Sequence, residues 1–209
     1  MSNKRSFGLL PISILVSGCL SLQAGGETEK GRAQLMFGDP KAALTHFQRA
    51  AEIDPAYRYN LSVLSQDIWT YVGRAYYATG KLPDARQALE RALSRDADDH
   101  MARLYLGLVL MRDGDKPRGL KEISAGLKGL SEWFDRLDRY HPDARFWDPG
   151  RQIRPEIERT LVSLSGKEFN WPEIIASGEW LGKALEDEID LAARDRFREE
   201  TGDGDKREE

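Results

Sequence analysis

Gly73 and Gly80 recur as Gly107 and Gly114, 34 residues further along the chain. A shift that carries small residues onto small ones and large onto large constrains the fold more than composition does. In the segment IWTYVGRAYYATGKLPDARQALERAL, Trp69, Val72, Gly73 and Tyr76 precede Gly80, and Ala85, Leu89 and Ala92 follow it. Two helices joined at Gly80 would meet closely at Gly73, Ala85 and Ala92, with Trp69, Tyr76 and Leu89 filling the layer between them. One period later Leu106, Leu110, Leu120, Ile123 and Leu127 hold the large positions. Gly119 and Gly126 replace the alanines, which keeps those sites small and weakens the helix by about 1 kcal/mol each. Trp69 maps onto Arg103, a departure from the pattern. In the other direction, Gly31 and Gly38 lie 42 residues before Gly73 and Gly80, one period plus an insertion of 8 near Arg58 to Ser65. Ala43, Phe47, Ala50 and Pro55 complete that first unit, and Pro55 ends its second helix because it has no N–H to donate.

This spacing resembles the tetratricopeptide repeat, whose signature W-x₂-L-G-x₂-Y…A-x₃-F returns every 34 residues. The resemblance runs over residues 26–130. It implies an all-α fold, a solenoid of about three helix-turn-helix repeats, with a C-terminal helical extension. Each such repeat buries its face only against its neighbours, so three units are the usual minimum for a stable stack. In this family, fixed positions of the first helix of each pair line the concave face. Carried onto this sequence they fall at Arg32, Leu35 and Met36, at Asp67, Thr70, Arg74 and Tyr77, and at Met101, Leu104, Leu108, Met111 and Arg112. Arg32 and Arg74 occupy the same position in successive units, an arrangement suited to a carboxylate held by guanidinium forks. The third of these helices is apolar all round, which requires burial on every side. The expected cover is the chain's own helix from Pro172 to Phe197, lying across the third-repeat end of the groove. That would leave Arg32, Arg74 and Tyr77 for an external partner; the alternative is that the partner itself covers Leu104 and Leu108.

The N-terminus carries a second pattern. Lys4 and Arg5 precede an apolar run from Phe7 to Val16, the shape of a signal peptide. The run is about half of the roughly 20 residues a spanning helix needs, and no later segment approaches that length. It closes on Val16-Ser17-Gly18-Cys19, which holds the only cysteine of the chain and resembles the lipobox of bacterial lipoproteins. The resemblance implies cleavage before Cys19 and acylation of that residue. Three acyl chains, added naively, are worth on the order of 15 kcal/mol of membrane binding. Leu20 and Ser21 follow the cysteine where an inner-membrane retention aspartate would stand, which implies the periplasmic face of the outer membrane. The expected organisation is therefore signal peptide 1–18, lipidated linker 19–25, repeats 26–130, a helical cap 131–198 and a disordered acidic tail 199–209.

After the signal, 191 residues remain, with 29 basic and 35 acidic side chains, a balance that argues against nucleic acid as a partner. With its one cysteine acylated the chain can form no disulfide, so packing alone must stabilise it. Beyond Leu130 the pattern changes. Asp148-Pro149 reads as a helix start, and Ile153, Ile157, Leu161 and Leu164 recur at helical spacing. Asn170 and Glu173 have capping-box spacing ahead of a second helix whose face is Ile174, Leu181, Leu185, Ile189 and Ala192. Trp133, Phe134, Phe146 and Trp147 either anchor the connecting segment to the core or form a partner patch. Glu186-Asp187-Glu188 reads as a solvated helix face. No catalytic motif, phosphate loop or metal-ligand spacing is present in the sequence, and His46, His100 and His141 stand on separate elements. These features point to a non-enzymatic adaptor without a cofactor, anchored to the membrane by its lipid and docking an envelope protein or peptide segment. The alternative reading is a solute-binding accessory of a transporter, which requires a closed apolar cavity.

Overall fold

The structure, a computed structural model, describes residues 13–61, 64–166 and 168–201. The described residues form eight α-helices and one two-stranded hairpin: α1 (Ser13–Met36), α2 (Pro40–Ile53), β1 (Arg58–Leu61), β2 (Leu64–Asp67), α3 (Ile68–Ala78), α4 (Leu82–Arg95), α5 (His100–Arg112), α6 (Lys116–Tyr140), α7 (Ile153–Leu164) and α8 (Trp171–Thr201). The architecture is an all-α solenoid of the tetratricopeptide type, with α1–α2, α3–α4 and α5–α6 as its three pairs.

The small residues sit where the repeat spacing predicts. A Cβ added at Gly31 would lie 2.5 Å from Phe47 of α2, and one at Gly73 would lie 2.5 Å from Leu89 of α4. At Gly107 it would meet Ile123 of α6 at 2.6 Å. Each first helix therefore approaches its partner at a distance that only glycine permits. The turns at Gly38, Gly80 and Gly114 have φ of 81°, 76° and 95°, a left-handed conformation that costs an L side chain about 1–2 kcal/mol. Aspartates set the helix starts. Asp39, Asp67, Asp99 and Asp115 accept backbone N–H bonds at the beginnings of α2, α3, α5 and α6, satisfying donors that the first turn of a helix leaves free.

The insertion in the first unit is the antiparallel hairpin, pairing Arg58 with Asp67 and Leu61 with Leu64. Arg58 ties it to the end of α4 through Asp96 at 2.6 Å.

Four expectations need correction. Residues 19–25 are not a linker: α1 is helical through them and Ala24 is fully buried, because Gly25 and Gly26 sit inside a helix held by packing further along. Asp148 is not the residue next to the first turn of α7. It stands at φ 53°, and its carboxylate reaches across the loop to accept the N–H groups of Gln152, Ile153 and Arg154. Residues 199–201 are helical in α8. Glu186 and Glu188 are buried rather than solvated. Residues 1–12 of the expected signal, the side chain of Cys19 and tail residues 202–209 lie outside the described residues.

The aromatic segment anchors the C-terminal unit. Trp147 and Phe134 are buried, and Trp133 packs edge-on against both at 5.2 and 4.8 Å. Arg154 lies over the Phe134 ring at 4.3 Å. The faces read for α7 and α8 are inward, with Ile153, Ile157, Ile174, Leu181, Leu185 and Ile189 all buried.

Candidate functional site

The first helices of the three pairs, α1, α3 and α5, form one wall, and α8 lies along it. Four α8 residues at four-residue spacing carry the contact: Gly178, Gly182, Glu186 and Asp190. Residues four apart share a stripe of a helix surface. A Cβ at Gly178 would lie 2.8 Å from Leu108, and one at Gly182 would collide with the Tyr105 hydroxyl. The two glycines therefore let α8 lie close against α5.

Further along, the stripe turns acidic and meets the arginines. Arg32 Nε donates to Glu186 Oε1 at 2.5 Å, its Nη2 to Asp190 at 2.6 Å, and its Nη1 to Glu29 and to the Tyr59 hydroxyl. Arg74 Nη1 donates to Glu186 Oε2 at 2.6 Å and its Nη2 to the Gly182 carbonyl at 3.0 Å. One carboxylate thus bridges two guanidiniums. The exposures are 2 % for Arg32, 4 % for Arg74 and 2 % for Glu186. Burial pushes the Glu186 carboxyl up, and the charges of Arg74 and Arg32 outweigh it, leaving the group below the usual carboxylate range. Arg74 also lies over the rings of Tyr71 and Tyr105, at 5.5 and 5.2 Å. Its Nε is buried with no acceptor.

The arginines at the repeated groove position therefore do hold a carboxylate, but it belongs to this chain. This corrects the expectation that Arg32, Arg74 and Tyr77 stay open: α8 covers the third-repeat end and also reaches the first and second. Tyr77 donates to Glu179 at 2.5 Å, and Arg112 reaches the same carboxylate at 2.5 Å while lying over the Tyr77 ring. Burial, followed by the bond to Glu179, raises the Tyr77 hydroxyl well above its ordinary range.

Other groove positions are structural. Asp67 is buried, caps α3 through Trp69 N and pairs with Arg95 at 2.7 Å. Thr70 donates to Asp99 at 2.6 Å, fastening α3 to the start of α5. Met101, Leu104, Leu108 and Met111 are buried, as an all-round apolar helix requires. All six are buried within the chain.

What remains open is a cleft of about 320 Å³ beside α8. It is lined by the groove residues Leu35, Met36, Arg74, Tyr77 and Arg112 together with Ala78, Tyr105, Glu179, Lys183 and Glu186. It is mixed in character, with aliphatic and aromatic walls and a charged rim, and it reaches the surface at Ala78 and Lys183, both exposed. Among the described residues, no group of three or more His, Cys, Asp or Glu is placed to hold a metal ion, and no helix is long and apolar enough to cross a membrane. The histidines are dispersed: His46 bonds Glu27 at 2.8 Å, His100 packs beside Gly129, and His141 accepts the Asp143 N–H.

Sequence reasoning missed Glu179, Glu186 and Asp190. The available signal was the interval 178–182–186–190, two glycines and then two acids on one stripe.

Comparison with known proteins agrees with the repeat architecture over part of the chain. A family model described as Tetratricopeptide repeat matches residues 73–128, from the middle of α3 into α6. Residues 73–128 are thus similar to the tetratricopeptide repeat, and a fold of this type implies protein partners in general. Neither the curated proteins nor the solved structures contain a match.

Proposed function

We propose that this chain is a lipid-anchored adaptor that docks another envelope protein or peptide segment on its repeat surface, from the periplasmic face of the outer membrane. The observation that carries the docking half is the cleft at Tyr77 and Arg112. It combines an aromatic wall, a charged rim and access from solvent, the mixture that recurs in protein-recognition surfaces. A cleft open at Ala78 and Lys183 does not meet the requirement of the solute-binding alternative, which is an enclosed apolar cavity. The anchoring half rests on Val16-Ser17-Gly18-Cys19 at the end of a signal-like run. With α1 helical from Ser13, Cys19 stands five residues before the buried Ala24. At 1.5 Å per residue this is roughly 8 Å, so the lipid would hold the repeat stack against the bilayer rather than on a long tether.

The test combines fractionation with cross-linking in the envelope of a diderm bacterium. The wild-type chain is expected in the outer-membrane fraction, and Cys19→Ser outside that fraction with its signal uncut. A photoreactive residue at Ala78 is expected to give a discrete protein adduct that the same residue at the exposed Val162 of α7 does not. A Cys19→Ser variant that still fractionates with the outer membrane sinks the anchor, and indistinguishable patterns at positions 78 and 162 sink the docking site.

A further inference from the structure

The contacts that α8 makes with the groove define what kind of helix the groove accepts, and two features show that α8 does not satisfy the groove completely. Its polar contacts with α1 and α3 come from Glu179, Glu186, Asp190 and the Gly182 carbonyl. These groups sit at or beside positions four residues apart, so another helix with the same stripe could present the same acceptors. Arg74 Nε remains buried without an acceptor, although its other two nitrogens are paired. The same arginine lines a cleft of about 320 Å³ that α8 leaves open. A buried donor left unpaired is a standing cost that a better-matched occupant removes.

We propose that the groove is a receptor for an acidic amphipathic helix with the stripe small-x₃-small-x₃-acid-x₃-acid, and that α8 is its built-in occupant, displaced when a partner helix of this kind binds. The two glycine positions select a helix that can lie against Leu108 and Tyr105. The first acid bridges Arg32 and Arg74, and the second takes the outer edge of Arg32. The desolvation of two buried charges largely offsets their attraction, which is what a displaceable occupant needs: it keeps the groove shut without out-competing a helix that also satisfies Arg74 Nε and fills the cleft. The inference rests on the docking reading but goes further, by naming the partner's chemistry and the path by which it enters.

The test uses the full mature chain and, as probe, a fluorescein-labelled synthetic peptide with the sequence Trp171–Thr201. Wild-type protein is expected to bind it weakly, because the apparent affinity falls with the fraction of molecules whose groove is free. Replacing Glu186 and Asp190 of the protein by alanine loosens α8 and should tighten peptide binding at least about tenfold. A control peptide carrying Glu186→Gln and Asp190→Asn should not bind. No gain in a double variant that circular dichroism shows to be folded overturns the proposal, as does equal binding of the control peptide. Should the double variant fail to fold, Asp190→Asn at the groove rim is read in its place: a gain of about threefold supports displacement and no gain overturns it. An adduct at position 78 in cells that goes with no peptide binding here leaves the docking reading standing and removes only the helix specificity.

Discussion

Gly73 and Gly26 are both helical glycines, yet they do opposite things. At Gly73 a side chain would enter Leu89 at 2.5 Å and the Ala85 carbonyl at 3.3 Å. Gly73→Leu is therefore expected to cost about 1–3 kcal/mol by overpacking, seen as a lower midpoint in urea; an unchanged midpoint would remove the helix contact inferred there. Gly26 is exposed in the interior of α1, and an added Cβ meets nothing within 4 Å. Gly26→Ala should raise stability by up to about 1 kcal/mol, whereas in a flexible linker it would do nothing. The first glycine was legible in the sequence because its 34-residue partner, Gly107, marks it as a packing residue. The second was not, since a glycine pair just after a segment that resembles a lipobox has the composition of a tether. Glu186 was illegible for a different reason. An acid in an acidic run has no local signature of burial, and its partners Arg32 and Arg74 lie 154 and 112 residues away.

Among the elements, α8 departs furthest from expectation. Its apolar face was readable from Ile174, Leu181, Leu185 and Ile189, because helical spacing is a local property. Its seat on the first two repeats was not, because that depends on charges supplied by α1 and α3. The hairpin β1–β2 was legible only as an insertion of the right size and place. The burial of Glu186 gives α8 a pH dependence of definite sign. The carboxyl titrates below its ordinary value in the folded protein. Its contribution is therefore complete above the unfolded value of about 4.3 and is lost as pH falls through the lower folded value. Wild-type protein should lose melting temperature more steeply below about pH 4.3 than Glu186→Gln does. Parallel acid profiles for the two proteins would mean that this carboxylate is not held between the arginines.

At the scale of the whole molecule, the bridge from Arg32 in the first helix to Glu186 in the last closes the repeat stack on itself. Repeat proteins ordinarily couple only neighbouring units; here one carboxylate joins the first and second units to the C-terminal helix directly. The all-α solenoid itself follows from the glycine register alone. Its closure does not, because no periodic signal links residue 32 to residue 186. Closure also decides how the groove can be used, since a partner must either take the cleft beside α8 or replace α8. The measurement that tests closure most directly is a double-mutant cycle on Arg32→Met and Glu186→Gln in the full chain, read from urea unfolding midpoints. The bridge predicts a coupling energy of about 0.5–3 kcal/mol, with each single change more damaging than its increment in the other's background. Additivity within about 0.3 kcal/mol would contradict it, and with it the account of a groove closed by its own C-terminal helix.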